Sequence, residues 1–205
     1  PAELRDELNA RLGEFPLFTF WGPATSVTSS RWITEATLYV RQTRRPTLTL
    51  CYLPHLDYGL QKWGPDPTDA RIRQDLREVD ELAGRLIEAA NRDGDKVIVV
   101  SEYGIVPVQG AVHINRALRE AGLLRFRMEM GREVFDPGAS RAFALVDHQL
   151  AHIYLQHGTD PATVKSLLAG LDGVAEILDE AGKRAQGLNH QRSGELVALA
   201  RPDRW

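Results

Sequence analysis

The sequence predicts an α/β fold, a sheet whose strands alternate with covering helices. Three observations carry this expectation. Two apolar runs, TLTLCYL at 47–53 and KVIVVSEYGI at 96–105, read as buried strands. A long amphipathic segment lies between them. Strand and helix patterns then continue to the end of the chain, where shorter segments add antiparallel pieces.

Each element follows from local pattern. ELRDELNARLG, residues 3–13, places Leu4, Leu8 and Leu12 at helical spacing and stops at Gly13. FPLFTFWGP, residues 15–23, reads as a packed connection or short strand. Residues 29–45 begin with a serine cap, put Trp32 and Ala36 on one face and end at Pro46, a helix. Residues 54–67, rich in Pro and Gly, read as a loop. From Thr68 to Asn91 the inward positions are Leu76, Val79, Leu82, Ala83, Leu86 and Ile87, again a helix, closed by Asp93-Gly94.

The second half predicts a helix over 112–124, an exposed strand over 124–130 and two apolar stretches around Asp147-His148-Gln149. A helix over 160–171 has Asp160 as its cap and Pro161 at its first position. Strands follow at 173–178 and 195–200. No internal repeat or low-complexity tract interrupts the 205 residues, which read as one α/β domain.

Composition narrows the function classes. Apolar residues make up 43% and charged residues 26%, enough to build a core. A net charge of −3 with interspersed signs gives no nucleic-acid-binding surface. No apolar run approaches the ~18 residues needed to cross a bilayer. The single cysteine, Cys51, reads as a buried, inert thiol, and a cytoplasmic chain is expected. A start at Pro1-Ala2 and an end at Asp203-Arg204-Trp205 suggest a piece of a longer protein.

Two apolar runs end in carboxylates, Asp57 after the first and Glu102 within the second. In open α/β sheets, ligands sit beyond the carboxyl ends of strands. If the strands are near one another, Asp57 and Glu102 face one crevice, with His55, Gln61 and Tyr103 beside them. Carboxylates and imidazoles are ligands for divalent metals. The plainer alternative is that both carboxylates cap loops. His148 and His152, next to Asp147, form a second set: both strand and helix spacing let this pair converge. Its alternative is a structural pair. His113, His157 and His190 look ordinary. There is no GxGxxG, P-loop, GxSxG, HExxH or CxxC.

Three strings together carry a resemblance. LCYLPHLDYGLQKWGP resembles a strand followed by a Pro-Asp-x-x-Gly-His-x-x-Gly-Pro loop. KVIVVSEYGI resembles a strand ending in Ser-Asp-His-Gly. VHINRALREAGLL resembles an Asn-x-x-Leu-x-x-x-Gly-Leu helix. These are features of the type I phosphodiesterase and nucleotide pyrophosphatase branch of the alkaline phosphatase superfamily. The resemblance is strongest over 45–125, the expected core. It makes about 125–160 a cap or insert and 160–205 a returning α/β segment.

The resemblance implies an alkaline-phosphatase-like, doubly wound sheet with helices on both faces, present as a partial domain. It also implies two divalent metals, usually zinc, and a Thr or Ser nucleophile expected outside these residues. Asp57 falls on a metal-binding Asp. Gln61 stands where the family has His, and Glu102-Tyr103 stands where it has Asp-His. The implied metal set is therefore Asp57 and Glu102, with His148 and His152 as candidates and His55 as an outsider. Gln61 and Tyr103 would orient substrate or water. An oxygen-richer site suits Mn or Mg as well as Zn. The leading expectation is a metal-dependent phosphoester or phosphodiester hydrolase acting on a small phosphorylated molecule. The alternative is a non-catalytic descendant binding a small ligand or a biosynthetic partner in the same crevice. A plain module with no site ranks third.

Overall fold

The computed structural model describes residues 2–205, which form two compact units divided after Val106. The first unit is helical: α1 (Ala2–Leu12), α2 (Val27–Arg44), α3 (His55–Trp63) and α4 (Ala70–Asp93). Caps explain the boundaries. The Ser26 side chain accepts the Thr28 amide at the start of α2, three residues before the serine expected to cap it. Arg45 closes α2 in a left-handed conformation directly before Pro46. Asp69 accepts the Arg71 amide at 2.8 Å to begin α4, and Gly94 ends it. Arg41 of α2 reaches Asp93 and Asp95 at 2.9 and 2.8 Å, tying it to the far end of α4.

Residues 15–23, read as a packed connection or short strand, are a connection holding a single 3-10 turn, Leu17–Thr19. The first unit departs from expectation in two places. The presumed loop at 54–67 contains α3. The runs 47–53 and 96–105 are neither helix nor ladder. A strand is defined by its neighbour, and among the described residues neither run has one. Cys51 is consequently exposed rather than buried.

The second unit is an α/β arrangement with its own core. It contains α5 (Ile114–Glu120), the hairpin β1 (Phe126–Glu129) and β2 (Arg132–Phe135), then β3 (Ala142–Asp147) and β4 (Leu150–Leu155). Next come α6 (Pro161–Ala169), β5 (Val174–Leu178), α7 (Glu180–Ala185) and β6 (Leu196–Ala200). The four-stranded sheet has order β3-β4-β6-β5 and is antiparallel throughout. In β4, Ala151 and Ile153 point inward, while the residues between them are only half-buried. Leu118 of α5 and Val164 and Leu168 of α6 meet Ile153, Ile177 and Leu196 in one apolar cluster. Asp160 caps α6 by accepting the Ala162 and Thr163 amides, with Pro161 at its first position, as the sequence predicts.

The short helix α7 is not anticipated by pattern, because its Lys183 is buried. That ammonium donates to the Gly194 carbonyl at 2.8 Å. A side chain at Gly194 would place Cβ 2.6 Å from the Ile153 amide nitrogen, so only glycine fits there.

Candidate metal and substrate site on helix α3

Helix α3 turns three faces to three surroundings. Positions four apart share a face. His55 and Gly59 face α4, Asp57 and Gln61 face the end of the second apolar run, and Leu56 and Leu60 line the groove between the runs.

On the α4 face, His55 is 8% exposed. Its Nε2 lies 3.0 Å from Glu78 Oε2 and 3.3 Å from Asp75 Oδ1. Nδ1 is buried without a hydrogen-bond partner among the described residues. Asp75 and Glu78 are one turn apart on α4, so both carboxylates reach the same imidazole. Gly59 makes this possible: a Cβ there would sit 2.1 Å from Asp75 Oδ2. Burial raises the Asp75 pKa, the His55 charge opposes that rise, and Glu78 adds to it. Imidazole nitrogen and both carboxylate oxygens lie within 4.8 Å of one another, a donor set that suits a divalent cation.

On the second face, both oxygens of Asp57 are engaged. Gln61 Nε2 donates to Oδ2 at 2.8 Å, and the Tyr103 hydroxyl donates to Oδ1 at 2.6 Å. Ser101 donates to the Tyr103 carbonyl at 2.6 Å and braces the backbone there. The hydrogen bond to Asp57 pushes the Tyr103 pKa up, helped by burial and by the neighbouring Asp57, Tyr52 and Glu102. Tyr52 is raised as well, by burial first and then by Asp57 and Glu102. Both phenols therefore keep their protons at neutral pH. Asp57, Glu102, Tyr52 and Tyr103 border a groove of about 540 Å³ whose floor includes Val79, Ala83, Leu86 and Ile87 of α4.

The structure thus brings Asp57, Glu102 and Tyr103 to one groove in the first unit, with Gln61 hydrogen-bonded to Asp57 behind its lining. His148 and His152 belong to the second unit and occupy separate elements. His148 sits in the β3–β4 turn at φ 53°, 3.8 Å from Asp147. His152 lies in β4, and its Nδ1 accepts the Gly194 amide at 3.3 Å. Trp63 does not line the groove; Lys62 and Arg71 stack over its ring at 4.4 and 4.0 Å. Sequence reasoning missed Asp75 and Glu78. Their i, i+3 spacing was readable, but nothing in the pattern aimed them at His55.

The chain thus pairs an α/β unit with a helical unit whose carboxylates Asp57 and Glu102 lie at the ends of two apolar runs. Its family is specific: the chain belongs to the type I phosphodiesterase / nucleotide pyrophosphatase family, whose model matches residues 1–205. No curated protein matches the chain. Among solved structures it is similar to phosphonoacetate hydrolase from Sinorhizobium meliloti 1021. With phosphonoacetate bound, that structure shares 19% identity at a TM-score of 0.63, over 96% of this chain and 45% of that one. With phosphonoformate bound, identity is 17% and TM-score 0.57, at the same coverage of both chains. This chain therefore spans less than half the length of those structures, and the likeness is one of fold.

Proposed function

We propose that the protein is a metal-dependent hydrolase of small phosphoesters or phosphodiesters, with Asp57 and Glu102 holding a divalent ion and Gln61 and Tyr103 binding substrate. The observation that carries this reading is the convergence of Asp57, Glu102 and Tyr103 on one groove, with Gln61 bonded to Asp57, in a chain whose family is established. The doubly wound sheet expected for the family belongs to the same proposal.

The residues fit an ion selectively. Asp57 and Glu102 offer hard oxygen ligands, and the imidazoles usual for zinc are replaced by Gln61 and Tyr103. That favours Mn or Mg at this place. When bound, such an ion supplies charge stabilisation for the phosphoryl group. Tyr103, held protonated, and the Gln61 amide are donors now turned on Asp57. Either can turn to a phosphoryl oxygen while Asp57 stays oriented by the other. The His55–Asp75–Glu78 cluster is a second ion-competent place. Its burial between α3 and α4 suits holding α3 in position rather than meeting substrate. His148 and His152 enter the proposal as variants to be measured.

One observation favours the non-catalytic alternative. Both Asp57 oxygens already accept strong hydrogen bonds, which is how a polar ligand pocket without metal would be organised. The two readings part in one experiment: calorimetric titration with Mn, Mg and Zn alongside hydrolysis of a chromogenic phosphodiester. The hydrolase reading expects binding and metal-dependent turnover, both lost in Asp57→Asn. Tight binding of a phosphorylated ligand without metal uptake or turnover would establish the alternative.

A further inference from the structure

The contact between α3 and α4 holds more charge than packing alone requires. His55, in the first turn of α3, aims Nε2 at two carboxylates one turn apart on α4, Glu78 Oε2 at 3.0 Å and Asp75 Oδ1 at 3.3 Å. One ring N–H satisfies one acceptor fully, so these two carboxylates compete for it. The ring is held through Nε2 alone, because Nδ1 is buried without a partner among the described residues. The side chains of Asp75 and Glu78 are each 20% exposed. Buried charge is stable when it is paired or bound to a metal. Arg31 pairs weakly here: its exposed guanidinium meets Glu78 Oε1 at 3.5 Å. Helix α3 even gives up a side chain to keep the arrangement, since a Cβ at Gly59 would fall 2.1 Å from Asp75 Oδ2. The spacing is that of a coordination shell. Ligand atoms bound to zinc at the tetrahedral angle lie ~3.3 Å apart, and Nε2 holds both oxygens close to that separation.

We infer that His55, Asp75 and Glu78 bind a zinc ion that clamps the start of α3 to α4, separate from the ion proposed at Asp57. One nitrogen and two carboxylates suit zinc, whereas magnesium prefers an octahedral shell of oxygens that keeps several waters. The two carboxylates balance the charge of the ion, and the imidazole ligates as a neutral ring. The partial exposure of both carboxylates leaves a fourth position to water. Asp57 lies two residues beyond His55 on the same helix, so a filled clamp also fixes the turn that carries Asp57. The clamp itself stands on its three ligands, whether or not Asp57 binds metal.

The test uses the full chain carrying Asp57→Asn and Glu102→Gln together, which removes the other site. Zinc or magnesium is added, free ion is removed, and retained metal is read by elemental mass spectrometry alongside amide exchange over α3. One zinc per chain should be retained, and exchange in 55–63 should slow by about tenfold or more. Magnesium should do neither. Adding His55→Gln should abolish both zinc effects. Adding Glu78→Gln instead should do the same while keeping the size of the side chain, so misfolding of one variant does not decide the result. No retained zinc in the starting chain would overturn the inference, as would equal retention of magnesium. Zinc retained undiminished after Glu78→Gln or His55→Gln would overturn it equally. Because the Asp57 ion is absent throughout, failure of the clamp and failure of the hydrolase reading remain distinct. In the native chain zinc should titrate in two steps, and Asp57→Asn should remove only one of them.

Discussion

The two units divide the chain almost evenly, yet only one buries the apolar residues its sequence provides. In the second, Leu118, Ile153, Val164, Leu168 and Leu196 are buried where the four-stranded sheet meets two helices. In the first, the buried apolar residues among those described are Ala36, Ile72, Leu82 and Ala90, all on helices, while its most strand-like residues are exposed. The difference lies in pairing. β4 has a neighbour on each edge, so alternation along it can divide inside from outside. Among the described residues, 47–53 and 96–101 have the composition of strands without the neighbours that would turn composition into burial.

The sharpest way to break this comparison is to truncate one apolar side chain in each unit. Ile153→Ala should cost about 2–5 kcal/mol in urea unfolding, because it opens a cavity in a packed core. Leu50→Ala should stay within about 0.5 kcal/mol, as for an exposed position. Equal costs would show that the first run is packed after all.

Gly59→Ala comes next. Its methyl group needs space now held by Asp75 Oδ2, 2.1 Å from the added Cβ. Moving that carboxylate breaks its contact with His55 and should cost about 1–3 kcal/mol, as overpacking does. A neutral result would mean that α3 and α4 are not held together through this carboxylate.

Legibility follows the same division. Helices α2, α4 and α6 were readable from their apolar periodicity and from Pro46, Gly94, Asp160 and Pro161, whereas the caps Ser26 and Asp69 were not singled out. Helix α3 was not readable. It starts after Pro54, carries Gly59 inside and ends at Gly64-Pro65, all loop signals. Its Gly59 is there for close approach to Asp75 rather than for a turn. The Asp57, Gln61 and Tyr103 cluster was legible through motif strings at the ends of two apolar runs. The His55, Asp75 and Glu78 cluster was not, because it joins two helices through tertiary packing that no local period encodes.

Smaller effects sharpen the picture of the first unit. Tyr103→Phe removes the donor to Asp57 Oδ1. Because that pair is partly solvated, the stability loss should be under about 1 kcal/mol. Substrate or ligand affinity should fall much further, as measured by titration with a phosphorylated ligand. A large stability loss with unchanged affinity would recast Tyr103 as structural.

The smallest effect is a pH response at the start of α4. Hydrogen bonds from the Arg71 side chain and amide hold the Asp69 pKa down at about 2, below its ordinary value of 3.8. A lowered folded-state pKa gives stability that is present above the unfolded value and lost as pH falls through the folded one. Helix content should therefore decline between roughly pH 4 and 2 in the native chain. Asp69→Asn keeps a capping oxygen without the titration, so its circular dichroism should be flatter over that window. Identical acid profiles would remove Asp69 as the cause.

The most direct measurement is metal stoichiometry by elemental mass spectrometry after equilibration with Mn, Mg or Zn and removal of free ion. It is made on the native chain and on Asp57→Asn, Glu102→Gln and His55→Gln. The account predicts an ion that is lost in Asp57→Asn and Glu102→Gln and retained in His55→Gln. Loss of ion confined to His55→Gln, or no ion under any condition, would contradict a metal-dependent site at the ends of the two apolar runs.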